Sequence, residues 1–160
     1  MLNSDLINNA LNYQLRIETN KLQKEPTRKL IIVSCMDSRL DIFKVFELES
    51  GQAHIVRNAG GVITEDVLRS IAISQRKLNT EEIIVMQHTD CGLKILDDEE
   101  FIGEMESIGG KKPNWKTYAF KDSQENMRKS LELIRNTPYV KSENLVGLII
   151  NETTGEVQRA

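Results

Sequence analysis

Four short apolar runs punctuate this chain: residues 30–34, Ala53 to Arg57, Glu82 to Gln87 and Leu145 to Asn151. Each is rich in Ile and Val, and each is separated from the next by a stretch with helical periodicity. Apolar strands that alternate with helices predict an α/β fold with a mainly parallel sheet and helices on both faces. The intervening helices have legible ends. Asp41 caps a predicted helix carrying Ile42, Phe43, Val45, Phe46 and Leu48, with Gly51 at its stop. A second helix spans Thr64 to Leu78 and ends near Asn79; a third spans Asp122 to Asn136, closed by Pro138. Asp97 to Ala119 reads as a short helix followed by a mobile loop. Near the start, Leu6, Ala10, Tyr13 and Ile17 recur at helical spacing among polar residues, so Asp5 to Glu18 predicts an amphipathic helix that needs an apolar surface to dock on.

The ends of these strands hold the chemistry. Cys35-Met36-Asp37-Ser38-Arg39 follows the first, Arg57-Asn58-Ala59-Gly60-Gly61 the second, and His88-Thr89-Asp90-Cys91-Gly92 the third. Open α/β sheets place their sites at the carboxyl ends of strands. If Cys35 and His88 share an ion, strands one and three are neighbours, and right-handed crossovers put strand two beyond strand one. The expected order is therefore 2-1-3-4.

Both cysteines and one of the two histidines lie in these segments. Two thiolates and an imidazole suit zinc, and three protein ligands leave a position for a reactive water. Asp37 then has two roles open to it. It can accept a hydrogen bond from the metal's water, or it can take the fourth position and close the site. Arg39 can hold it off the metal through a paired contact. Gly60 and Gly61 allow backbone to come near a small substrate and present amide donors. Taken singly, each feature has a plainer reading: Cys35 as a small apolar filler, Asp37 and Arg39 as a cap and its ion pair, the glycines as a turn. His54 reads as packed or solvent-facing, and Asp90 as the orienter of the turn after strand three. The joint placement favours the site.

Composition narrows the partners. The 160 residues fit one domain, and no linker or repeat divides them. A formal charge of −3 with interleaved signs offers no basic face for nucleic acid or anionic lipid. No run approaches the roughly 20 apolar residues of a membrane span, and the polar N-terminus lacks a signal-peptide pattern. A cytoplasmic protein with reduced thiols is the expectation, which favours metal ligation over a Cys35–Cys91 disulfide.

At these segments the chain resembles the beta-class carbonic anhydrases, in their short bacterial and archaeal form. The three motifs match that family's signatures in order and spacing, and Gly147 to Gly155 looks like its closing strand and turn. Two positions depart from the usual pattern: Ile42 follows Asp41 where proline is frequent, and Ile150-Asn151 stands where an aromatic and an acid are frequent. The resemblance covers roughly residues 28 to 157. It implies that Cys35, His88 and Cys91 bind one zinc ion per chain and that Asp37 and Arg39 form the catalytic pair. It implies reversible hydration of carbon dioxide to bicarbonate by zinc-bound hydroxide. It also implies a homodimer or multiple of dimers, with residues 1–25 packing on a partner subunit. The alternatives are a carbonyl sulfide or carbon disulfide hydrolase on the same site, or a non-catalytic zinc module closed by Asp37. A plain nucleotide-binding domain would need a glycine-rich loop after strand one, and Ser34 to Leu40 contains no glycine.

Overall fold

A computed structural model describes residues 3–13 and 22–160. Its elements in chain order are α1 (Ser4–Leu11), β1 (Leu30–Cys35), α2 (Ile42–Val45), β2 (Ala53–Asn58), α3 (Glu65–Lys77), β3 (Glu82–His88), α4 (Asp98–Gly109), α5 (Ser123–Arg135), β4 (Leu145–Ile150) and β5 (Val157–Arg159). The sheet order is β2-β1-β3-β4-β5. The first four strands are parallel, in the expected order, and β1 lies between β2 and β3. The fifth strand was not expected: β5 runs antiparallel to β4, pairing Leu148 with Arg159 and Ile150 with Val157.

Alternation along the strands sorts the side chains between two faces. Ile31, Val33, Ile83, Val85 and Ile149 pack under α3 and α5, against Val67, Ile71, Met127, Leu131 and Ile134. Leu30, Ile32, Met86 and Ile150 face the other way, onto Leu40, Ile42 and Leu48, with Val45 and Phe46 at the margin. The first face is the thicker layer. Gly147 belongs to it, because a Cβ there would meet Met127 Sδ at 2.8 Å and Leu131 Cδ1 at 2.9 Å. Truncating Ile71, which is fully buried, to alanine is expected to cost about 3 kcal/mol through lost burial and a cavity. Urea unfolding of the folded variant checks this.

The Asp41 cap agrees with the sequence reading, and the predicted starts at Thr64 and Asp122 are caps as well. Asp41, Thr64 and Asp122 each accept a hydrogen bond from the backbone three residues on, at 3.2, 3.3 and 2.7 Å. Two helices differ in extent. α2 makes only one turn, because Leu48 N returns to Phe43 O and Glu47 takes a left-handed φ of 49°. α4 is longer than expected, twelve residues, capped by Asp97 and stopped at Gly110 with φ 66°. α1 covers the front of the predicted amphipathic helix; Ile17 lies outside the described residues. Leu6, Ile7, Leu11 and Tyr13 stand exposed.

Candidate metal centre and active site

The pairing of β1 with both β2 and β3 brings all three motifs to one edge of the sheet. Cys35 is the last residue of β1 and His88 the last of β3; a turn at Thr89 and Asp90 follows, and Cys91 comes straight after it, at the start of the single helical turn Gly92–Lys94. Thr89 N donates to Ile150 O at 3.0 Å, fixing the turn at Thr89 to the neighbouring strand. The ligand atoms of Cys35, His88 and Cys91 lie within 4.8 Å of one another, and all three residues are buried. Both cysteines are free thiols.

Two further facts fit a metal here. Neither ring nitrogen of His88, a fully buried side chain, has a hydrogen-bond partner, and buried polar atoms without partners call for an explanation. The two thiols also titrate against each other. Donation from Cys91 pulls Cys35 down to about 4 against the opposing effect of burial, with His88 and the backbone amides of Asp37 and Gly60 adding to the pull. The same hydrogen bond, together with burial, pushes Cys91 up. A dication would replace the Cys91 proton and take both sulfurs as thiolates. Burial pushes His88 down, but the adjacent Cys35 sulfur and the carboxylates of Asp37 and Glu152 outweigh it and raise it.

Asp37 stands beside this group and outside it. Arg39 Nε donates to Asp37 Oδ1 at 3.0 Å, Arg39 Nη2 to Oδ2 at 2.7 Å, and the Arg39 backbone N to Oδ1 at 2.9 Å. These bonds hold the Asp37 carboxyl far below the usual carboxylate range. The guanidinium is in turn fixed by Asp90, whose Oδ2 and backbone O accept at 3.1 and 2.9 Å. Asp37 Oδ2 comes to 3.9 Å from His88 Nε2.

The second motif acts through its backbone and its arginine. Arg57 Nε donates to Cys35 O at 2.9 Å and Nη2 to Asp37 O at 2.7 Å, so Arg57 pins the loop that carries both residues. Asn58 closes the following turn by exchanging two hydrogen bonds with the backbone of Val62. Gly61, at φ +58°, lies so close to the ligand loop that a Cβ would meet Cys35 N at 2.8 Å and Met86 O at 3.0 Å. Gly61→Ala is therefore expected to cost about 3 kcal/mol from backbone strain and displaced chain, read as a lower urea midpoint. Gly60, at φ +79°, packs against the side chain of Leu93 rather than against backbone.

His54 plays no part in this centre. It contacts Ser74 Oγ at 2.7 Å and Lys24 O at 3.2 Å, the packed one of the two roles read for it. Glu152 was read in the sequence only as part of a closing turn, yet its side chain is 3% exposed and Oε2 lies 3.5 Å from His88 Nδ1. Its signal was present: an acid two residues past the last parallel strand, at the same sheet edge as the ligands. Arg57 was likewise named only within its motif.

A strand-end Cys-His-Cys group with a tethered carboxylate defines a zinc enzyme on an α/β sheet. The carbonic anhydrase family profile matches residues 30–157. Beta-carbonic anhydrase 1 of Mycobacterium tuberculosis is 41% identical over 137 residues, covering 85% of this chain and 84% of that protein. A crystal structure of carbonic anhydrase from Streptococcus mutans superposes with a TM-score of 0.87 at 34% identity, over 99% of this chain and 98% of that one. A carbon disulfide hydrolase of Acidithiobacillus thiooxidans is 28% identical over 171 residues, covering 93% of this chain and 82% of that protein. The chain belongs to the carbonic anhydrase family, in its beta class. It is a zinc-dependent enzyme for the reversible hydration of carbon dioxide to bicarbonate.

Proposed function

We propose that Cys35, His88 and Cys91 hold the single zinc of each chain, and that Asp37, positioned by Arg39, is the acceptor that orients the reacting water during hydration. The observation that carries this reading is the separation of Asp37 from the three-ligand group by its paired bonds to Arg39. When bound, zinc supplies a water acidic enough to act as a nucleophile near neutral pH; three-histidine carbonic anhydrases are the usual example, and two thiolates cancel more of the ion's charge. Asp37, ionised, can only accept hydrogen bonds. With Arg39 on both of its oxygens, it has a fixed direction in which to accept one more. Gly60 and Gly61 bring backbone beside the ligands without side chains, which suits a small linear substrate there. Arg57 holds the loop by donating to the carbonyls of Cys35 and Asp37.

The non-catalytic reading needs Asp37 on the metal, and its bonds to Arg39 oppose that. Hydrolysis of carbon disulfide or carbonyl sulfide is the second reading, motivated by the related hydrolase. Rates for all three substrates on one zinc-loaded preparation decide between them. Carbon dioxide hydration far above the others is expected; a preference for a sulfur compound with negligible hydration would reverse the assignment.

We further propose a single domain over residues 1–160, assembled as a homodimer or a multiple of dimers. The exposed face of α1 supports this, as does the thin cover of one-turn α2 over the second sheet face. Light scattering is expected to report at least a dimer, whereas a stable, active monomer at assay concentration would refute it. Two buried free thiols at a ligand site support a reducing, cytoplasmic location. Among the described residues, no helix is long and apolar enough to cross a membrane.

A further inference from the structure

Glu152 is a buried carboxylate that the hydration reaction, as derived above, does not use. It lies two residues past β4, in the turn that leads into β5. That turn is rigidly built: Asn151 Oδ1 accepts from Thr153 N and Thr154 N at 3.0 and 3.1 Å, Gly155 N donates to Asn151 O at 2.8 Å, and Asn151 N donates to Glu156 O at 2.8 Å. The antiparallel strand added to the sheet edge thus holds Glu152 against the end of β3.

The carboxylate there meets four groups. Thr89 Oγ1 donates to Oε2 at 3.1 Å, and Asp90 N approaches the same oxygen at 3.5 Å. Arg39 Nη1 stands 3.7 Å from Oε1. The fourth group is His88 Nδ1, 3.5 Å from Oε2, on a ring neither of whose nitrogens has a hydrogen-bond partner. A carboxylate that is 3% exposed is costly to bury unless each oxygen has donors. Nδ1–H is the remaining donor within reach of Oε2. Nε2 points to the opposite side, where Asp37 Oδ2 is 3.9 Å away.

We propose that Glu152 is a positioning residue for the metal centre: it accepts the Nδ1–H of His88, fixing the tautomer and ring orientation that leave Nε2 free as the zinc ligand. It also places a second carboxylate behind Arg39, on the side away from Asp37's oxygens, and so steadies the guanidinium that keeps Asp37 off the metal. This rests on His88 being a zinc ligand. Carboxylates in contact with a ligating imidazole typically contribute about 10–100-fold in metal affinity.

The test uses the zinc-loaded protein labelled with nitrogen-15. The chain has two histidines, so His54, held by Ser74, serves as the internal control. Long-range nitrogen–proton spectra of the native protein are expected to show His88 protonated at Nδ1, with its proton far downfield. In Glu152→Ala that proton resonance should move upfield or be lost to exchange. Zinc affinity, measured by competition with a chromophoric chelator, should fall about 10–100-fold, while His54 is unmoved. Glu152→Gln keeps an oxygen for Thr89 and His88; it should restore affinity to within a few-fold of native while still shifting the Nδ1 proton. If Glu152→Ala does not fold, the glutamine variant and the native spectrum decide alone.

A native spectrum with the proton on Nε2 would overturn the proposal. So would an unmoved Nδ1 proton in the glutamine variant, or native zinc affinity in a folded alanine variant. His88→Ala separates this from the ligand assignment. If His88→Ala keeps native zinc affinity, the ligand assignment itself fails; if it loses zinc while Glu152→Ala does not, the fault lies with Glu152 alone.

Discussion

Cys35→Ser and His88→Ala are each expected to yield folded protein with substoichiometric zinc and carbon dioxide hydration at the uncatalysed rate. Both side chains sit at the ends of adjacent central strands, and their ligand atoms belong to one group within 4.8 Å. Serine has nearly the volume of cysteine, so the core around β1 should survive the exchange. Its hydroxyl is a poor ligand at neutral pH, whereas a thiolate is a strong one. His88→Ala removes a ring that is wholly buried and leaves a cavity, so it should also lower stability by about 2–4 kcal/mol. Metal content by elemental analysis and hydration by stopped flow, run on the same samples, should fall in parallel. Activity retained with metal absent would break the link between them.

Arg39→Ala is expected to behave differently, keeping one zinc per chain while losing hydration by roughly a hundredfold or more. Arg39 is no part of the three-ligand group, so metal uptake does not depend on it. Its three bonds to Asp37 are what hold the carboxylate aside. Without the guanidinium, only the backbone N of residue 39 remains on Asp37, and the carboxylate is free to turn onto the metal's fourth position. Asp37→Asn should also keep zinc and lose a similar factor, because an amide can donate where an acceptor is needed. The two variants separate by spectroscopy with cobalt in place of zinc: closure by Asp37 should change the cobalt spectrum of Arg39→Ala and leave that of Asp37→Asn near native. Full activity in either variant would contradict the role given to the pair.

The parts of this site that the sequence made legible are those tied to strong local patterns. Leu30 to Val33 and Ile83 to Met86 announce β1 and β3 through unbroken apolar runs, and the chemistry-bearing residues follow directly. Thr64 and Asp122 announce α3 and α5 because their caps are local interactions. What escaped depends on neighbours distant in the chain. β5 has three exposed residues, Val157 to Arg159, and becomes a strand only because β4 offers an open edge. α2 looked longer because Phe46 and Leu48 continue the apolar spacing, yet the chain turns at Glu47 to bring Leu48 under the sheet. α4 hides for the opposite reason, since none of its residues is buried and its helix rests on the Asp97 cap. Arg57 and Glu152 gain their roles from contacts with Cys35, Asp37 and His88, 22, 20 and 64 positions away in the chain, and no local spacing reports such contacts.

The central claim is that one chain binds one zinc through Cys35, His88 and Cys91 and uses it to hydrate carbon dioxide. The measurement that tests it most directly is zinc content and stopped-flow hydration on the native protein, before and after removal of the metal by a strong chelator and after its return. One zinc per chain, activity lost in proportion to the metal removed, and activity regained on adding zinc back are the predicted result. Hydration that persists in fully stripped protein, or a zinc-replete protein that does not hydrate carbon dioxide at all, would contradict it.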